Sequence, residues 1–315
     1  MIPRLKADLR LCDLKVIWPS GNKTQNIHDF ETAFAAMAGQ KHAVAFPYGR
    51  TAQMALLNTL NIAGKEIICP SYTCVVVPHA IVKSGHKPVF VDVREDDYNM
   101  DWNYVEAATN DHTGAVIATS IFGHPVDQHA LEAYQSRHPD VFILQDCAHS
   151  FLAGDMHQQG IAAFFGLNVS KIITSIFGGM VTTNNDDLAD ALRAERTRML
   201  QPVGIAKELK RSLYLLAVLV AFNPIIYGMV NRLERMGMLN KFVKYYDETI
   251  IDLPGDAFEE MCGIEARLGK IQCGRYMDII EHRRKLAGIY QNGLDGIGDL
   301  ALPPEHLGAT YSHFV

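Results

Sequence analysis

Lys171 is the one charged residue in the segment 160–183 (GIAAFFGLNVSKIITSIFGGMVTT), with Phe, Val and Ile close by in sequence. Low-dielectric surroundings disfavour an ammonium, and the neutral amine can then form a Schiff base with a carbonyl. A single lysine is more often a solvated surface group, so the residue needs company to be informative. Asp146 supplies it, closing the apolar run VFILQD (141–146), where an unpaired carboxylate is costly. Its plain role would be to cap the turn after a strand. Its chemical role would be to face a cation such as a pyridinium nitrogen. A buried aspartate at a strand end, followed by a lysine in a loop, is what pyridoxal phosphate chemistry needs. The aspartate keeps the ring nitrogen protonated, and the lysine holds the aldehyde and shuttles protons. A third feature is YGRTAQMALL (48–57), a small-residue turn that opens a helix after an apolar run. Free N–H groups and the helix dipole there favour a phosphate, and Gly49 permits close approach.

The elements that must position these residues follow from the apolar pattern. Runs at 42–46, 66–70, 88–93, 115–120, 141–146, 161–166 and 178–183 are short and bounded by Gly, Pro or Asp, as strands buried on both faces are. Helical patterns lie between the early runs, at 51–60 and 75–84, and amphipathic helices are predicted over 187–200 and 256–294. Strand–helix alternation implies a mostly parallel α/β sheet, with ligands at the carboxyl ends of its strands. β character is predicted to return at Leu302 and Tyr311. No GxGxxG follows the first strand and no GxxxxGK[ST] occurs, so dinucleotide and P-loop readings lose their main support.

The chain has 315 residues, 48% hydrophobic and 20% charged, enough for a large core. Lys+Arg 29 against Asp+Glu 35 gives a net charge of −6, which argues against a nucleic-acid binder. Six cysteines without a CxxC pair read as buried free thiols in a reducing cytosol and predict no metal site. Residues 1–14 lack the continuous apolar core of a signal peptide.

Taken together, the motifs resemble the DegT/DnrJ/StrS family of pyridoxal-phosphate sugar aminotransferases, of the fold type I class. The resemblance runs from about Phe30 onward. It is carried by FETAFAAMAGQKHAVAFPYGRTAQMALL, PSYTCVVVPHAIVKSGHKPVFVDV, IFGHPVD, QDCAHS, FGGMVTT and IEHRRKLAGIY, in family order. It implies a large domain with a mostly parallel seven-stranded sheet and a small C-terminal α+β domain. The expected division is 1–200 for the N-terminal segment and cofactor domain, 201–250 for an apolar helical insertion, and 251–315 for a helix leading into the small domain. Because the family's small domain normally runs on past the SHFV at 312–315, the sequence is expected to be a fragment.

By that resemblance Lys171 is the cofactor-bearing lysine and Asp146 the partner of the pyridine nitrogen. Gly49, Arg50 and Thr51 match the phosphate-binding turn, and His149 falls where many members have Gln near the phenolic oxygen. Four positions depart from the family pattern. Cys74 stands where an aromatic ring often stacks on the cofactor, with Tyr72 nearby as a substitute. Gly166 replaces a phosphate-binding Ser, Asn168 replaces a His, and Phe177 replaces an acidic residue. The implied activity is transfer of an amino group from L-glutamate to a nucleotide-linked keto sugar for cell-surface glycan biosynthesis, by a cytoplasmic homodimer. Arg50, Arg198 and Arg283 are unranked candidates for the substrate's phosphates. Dehydration from a pyridoxamine form is disfavoured because Lys171 is present. The non-enzymatic alternative is a degenerate member that binds pyridoxal phosphate or sugar as a regulatory module at the membrane.

Finally, SLYLLAVLVAFNPIIYGMVN (212–231) is uncharged, with Lys210 and Arg211 before it and Arg232 and Arg235 after. Asn223-Pro224 breaks any helix near its middle. A single span is excluded because both flanks belong to one fold. The segment is expected either to be buried against a partner subunit or to lie at the inner face of a membrane, as a shallow hairpin or an interfacial helix.

Overall fold

Each apolar run becomes a strand because it is long enough for one pass through a sheet and ends in a residue that favours a turn. The computed structural model describes residues 7–62, 65–151, 160–238 and 250–315. In chain order its strands are β1 (His42–Phe46), β2 (Glu66–Pro70), β3 (Lys87–Val91), β4 (Thr113–Thr119), β5 (Phe142–Asp146), β6 (Ala162–Gly166) and β7 (Gly179–Thr183). They form one seven-stranded sheet in the order β1-β7-β6-β5-β4-β2-β3. β7 runs antiparallel to both β1 and β6, and the other neighbouring pairs are parallel. The carboxyl ends of every strand but β7 therefore share one edge of the sheet.

Helices cover both faces, and alternate strand residues serve opposite layers. Ala43 and Ala45 of β1 pack with α1 (Lys23–Ala38), α9 (Gly263–Cys273) and α10 (Tyr276–Leu294). Val44 and Phe46 pack on the other side with α2 (Gly49–Thr59), α3 (Val76–Lys83) and α6 (Asp186–Met199). α4 (Trp102–Ala108) and α5 (Gln128–Arg137) extend the first layer over β4 and β5. α1 is capped by Asn22, whose side chain accepts from Thr24 N–H, and it ends at Gly39 with φ 64°. α9 approaches α1 so closely that a Cβ on Gly269 would lie 2.3 Å from the Phe30 ring.

Three expectations need correction. The helical pattern over 256–294 is interrupted at Gly274–Arg275 and begins only at Gly263, giving α9 and α10. No strand forms at Leu302 or Tyr311. There the chain bonds to the loop after β4, through Thr310 N–H to Gly123 O and His313 N–H to Phe122 O, and that loop offers no strand edge along which a ladder could propagate. The cysteines are free, but Cys12 and Cys74 are exposed.

The 201–250 segment contains α7 (Ile205–Ala221) and α8 (Pro224–Arg235), bent by 108° across the predicted break. Residues 239–249 lie outside the described residues. Among those described, no single helix is long and apolar enough to cross a membrane. Arg211, which precedes the uncharged stretch, is only 3% exposed. Its Nε donates to Glu265 and its Nη2 to both Asp256 and the Tyr48 hydroxyl, at 2.7–2.9 Å. Lys207 donates to the carbonyls of Asp256, Glu259 and Glu260, so the first half of α7 is anchored in the body.

Candidate active site

The shared edge of the sheet collects the predicted residues from separate turns. Gly49 follows β1, Tyr72 and Cys74 follow β2, and Phe122 follows β4. Asp146 ends β5, His149 follows it, and Gly166 ends β6 just before the loop that carries Lys171. That loop is tied at its base, where Leu167 N–H reaches Gly178 O and Ser175 N–H reaches Leu167 O. Asn168 accepts from the N–H and hydroxyl of Ser170, and its carbonyl accepts Lys171 N–H. The visible role of Asn168 is thus to build the turn that presents the lysine.

Asp146 is 4% exposed, and one carboxylate oxygen accepts Ala148 N–H at 3.0 Å. The plain role and the chemical role therefore coexist: one oxygen fixes the turn and orients the carboxylate. Burial pushes its carboxyl above the usual range, against opposing contributions from Ala148 N–H, the Lys171 ammonium and the Thr119 side chain. Burial also pushes Lys171 below its ordinary value, with Asp146 and Cys74 opposing. Both charged forms are disfavoured, the signature of a pair lacking a third charged group.

His149 is lowered to about 3 by burial first, then by Lys171 and His313, so it is neutral at physiological pH. Its Nδ1 is buried and has no hydrogen-bond partner among the described residues. Its ring stacks on His313 at 5.6 Å between centroids. Tyr72, Tyr98 and Phe122 form a cluster with centroids 5.7–6.0 Å apart, and Phe122 also touches both histidines. Tyr98, Phe122, Phe151, Ile176 and Tyr311 all adopt positive φ. Such strain survives where surrounding contacts over-determine the backbone, as in a built site.

The structure places the other predicted residues as follows. A Cβ on Gly49 would meet the Gly166 Cα at 3.0 Å, and one on Gly166 would meet Lys171 Cε at 3.5 Å. The turn that opens α2 thus packs against the lysine loop. The Arg50 guanidinium donates to Asp252 O and the Thr51 hydroxyl to Ala257 O at 2.9 Å. Both side chains tie α2 to the 252–257 segment. Arg198 is paired with Glu195 on the exposed side of α6. Arg283 instead donates to Tyr311 O and Ser312 O, which holds His313 in place.

Sequence reasoning missed His313, Tyr98 and Phe122. Phe122 lies in the IFGHPVD motif and His313 in the terminal SHFV, but nothing in the sequence marks Tyr98, and no periodicity links such distant segments.

The DegT/DnrJ/EryC1/StrS aminotransferase family model matches residues 15–314. The chain belongs to this family. It is 29% identical over 290 residues to the spore coat polysaccharide biosynthesis protein SpsC of Bacillus subtilis (strain 168), covering 90% of this chain and 66% of that protein. It is 33% identical over 204 residues to dTDP-3-amino-3,4,6-trideoxy-alpha-D-glucose transaminase of Micromonospora megalomicea subsp. nigra, covering 61% and 53%. The matched stretches thus span about half to two thirds of these relatives. Among solved structures, Helicobacter pylori PseC, an aminotransferase of pseudaminic acid biosynthesis, superposes with TM-score 0.72 at 18% identity, covering 99% of this chain and 76% of that one. E coli GDP-4-keto-6-deoxy-D-mannose-3-dehydratase gives 0.74 at 16%, covering 100% and 78%. At these identities the likeness shows the shared fold, which hosts more than one reaction.

Members of this family use pyridoxal phosphate, and the residues present fit it. The unpartnered His149 Nδ1, the Asp146–Lys171 pair and the Gly49–Gly166 approach together make a cradle for a polar, anionic, ring-shaped group. Among the described residues, no group of three His, Cys, Asp or Glu is placed to hold a metal ion.

Proposed function

We propose that the chain is a pyridoxal-phosphate-dependent aminotransferase that moves an amino group from L-glutamate to a nucleotide-linked keto sugar for cell-surface polysaccharide. In this reading it works as a cytoplasmic homodimer, peripheral on the inner face of the membrane. One observation carries the chemistry: Asp146 and Lys171 act on each other at adjacent strand ends, and each has its charged form disfavoured by burial. The relatives support the substrate class, since two of them are by name a dTDP-amino-sugar transaminase and GDP-perosamine synthase.

Bound pyridoxal phosphate supplies an electron sink for a carbanion next to nitrogen. The protein's share falls to a few residues. Lys171 Nζ would hold the cofactor covalently and, once freed by the amino donor, would take the proton from the donor's Cα and deliver it to the cofactor carbon that Lys171 had held. Its lowered basicity keeps a neutral amine available for both roles. Asp146, held by Ala148 N–H, would keep a proton on the ring nitrogen. Neutral His149 offers a hydrogen bond without adding charge beside Lys171. The Gly49 turn offers backbone N–H groups to the phosphate.

The test is the visible spectrum of the protein with added pyridoxal phosphate, before and after borohydride, beside Lys171→Ala. A band that borohydride bleaches, with cofactor left attached only in the wild type, is expected. Addition of glutamate should then shift the band. Identical spectra for the two proteins, without bound cofactor, would overturn the reading in favour of a binding module.

A further inference from the structure

A helix on the surface of a soluble protein normally turns its apolar stripe inward and its charges outward. α7 does the reverse. Its inward face carries Lys207 and Arg211, both buried and fully engaged, followed by Leu215 and Val218. Its outward face carries Leu209, Leu213, Leu216 and Val220, spaced four, three and four residues apart and 40–60% exposed. α8 continues the pattern past the bend with Met229, 61% exposed. The 3-10 turn Leu11–Ile17 packs beside α7 through Val16 and Ile17, while Leu11 and the adjoining Trp18 stand more than three quarters exposed.

We propose that the outward face of α7 and α8 docks on an anionic lipid surface, lying in the interface rather than spanning it. The inference rests on the peripheral location given above and names the surface responsible; it does not depend on the chemistry at Lys171. Charge selects this occupant. The chain carries −6 overall, yet no Asp or Glu occurs from Leu209 to Leu233. Exposed Lys210, Arg232 and Arg235 rim the apolar face, with Glu234 as the lone acid beside them. Cations around an apolar face suit anionic headgroups, and an exposed Trp suits the interfacial zone. A second copy of the chain fits less well. A two-fold contact would bring this basic rim against itself without acidic partners, and like charges opposed across an interface are costly. A span is opposed by the 108° bend and by the buried ion pairs that pin the start of α7 to the body.

The test is co-sedimentation of the whole chain with phosphatidylcholine vesicles, with and without phosphatidylglycerol, at low and high salt, and sedimentation velocity without lipid. The wild type should bind the anionic vesicles and be released by salt. Leu213→Asp with Leu216→Asp should abolish binding, while the thermal midpoint and oligomeric state stay unchanged because both side chains face outward. Lys210→Gln with Arg232→Gln should weaken binding by about fivefold for each cation removed. Binding that survives the double aspartate variant would overturn this face as the docking site while leaving the peripheral location standing. A wild type that ignores both vesicles would overturn the location as well, and the cofactor spectrum would still judge the enzymatic reading separately. If the aspartate variant instead dissociates a dimer that ignores lipid, the face belongs to a second copy and the proposal falls.

Discussion

Two of the places where the described residues bury charge treat it in different ways. At the anchor of α7, every buried charge meets a partner: Arg211 with Glu265 and Asp256, and Lys207 with three carbonyls. Burial alone would depress Arg211, but Glu265, Tyr48 and Asp256 hold it firmly protonated. Burial alone would raise Asp256, but the Tyr48 hydroxyl, Arg211 and Lys207 outweigh it and keep the carboxyl below the usual range. At the sheet edge the balance tips the other way. Asp146 is raised, Lys171 and His149 are lowered, and the buried Nδ1 of His149 has no partner among the described residues. Burial raises Glu265 at the anchor as it raises Asp146 at the edge, so the sign of a shift does not separate the two clusters. What separates them is that Glu265 is hydrogen-bonded to Arg211, whereas the buried His149 Nδ1 has no partner among the described residues.

The contrast can be broken or sharpened by substitution. Lys171→Ala should have the largest effect, ending borohydride trapping of the cofactor and lowering turnover by about 10⁴-fold, the upper range for a positioned acid–base group. Loss of less than tenfold would remove the edge from the chemistry. Arg211→Met leaves Glu265 and Asp256 short of their cation and should cost about 3–5 kcal/mol in a denaturant titration. Pairing it with Glu265→Met should recover part of that loss, because it removes the buried carboxylate left without Arg211, while Asp256 keeps Lys207 and the Tyr48 hydroxyl. Asp146→Asn keeps an oxygen for Ala148 N–H but removes the charge, so kcat should fall by about 10²–10³ while the melting temperature holds or rises. A rise would be the clearest mark of a carboxyl kept for function.

Smaller effects test the frame around both regions. Gly269→Ala puts a methyl into the Phe30 ring and should cost about 1–3 kcal/mol through overpacking. Acidification should act through His149, lowered to about 3 when folded against an ordinary 6.5. Above about pH 6.5 it is neutral in both states and its contribution is intact. As pH falls from there toward 3, the unfolded chain takes up a proton that the folded chain refuses, so stability declines. His149→Asn should flatten that decline in a series of melts, and an unchanged slope would show that the ring is not held neutral.

Much of this was readable along the chain. The strand predictions fell within about two residues because each run is short, apolar and bounded by turn formers, leaving the backbone little choice. Asp146 and Lys171 were legible because a charge beside apolar neighbours is costly unless used. The break at Asn223-Pro224 followed from the missing N–H of proline. The burial of Arg211 was not legible, because sequence shows a charge beside an apolar stretch but not the Glu265 and Asp256 that come to meet it from over forty residues away. That the Arg50 and Thr51 side chains also bond to the 252–257 segment could not be read from the sequence, because those partners lie some two hundred residues away.

Sequence alone marked the seven strands and singled out Asp146 and Lys171, because both follow from local periodicity and from the energetic cost of a charge among apolar neighbours. Tertiary structure decided how the site is completed. The sheet order brings the turns after β1, β2, β4, β5 and β6 to one edge, and Arg283 fixes the 311–313 segment so that His313 stacks on His149. These contacts join segments far apart in the chain, and no local propensity encodes a meeting that depends on where the whole sheet places its ends.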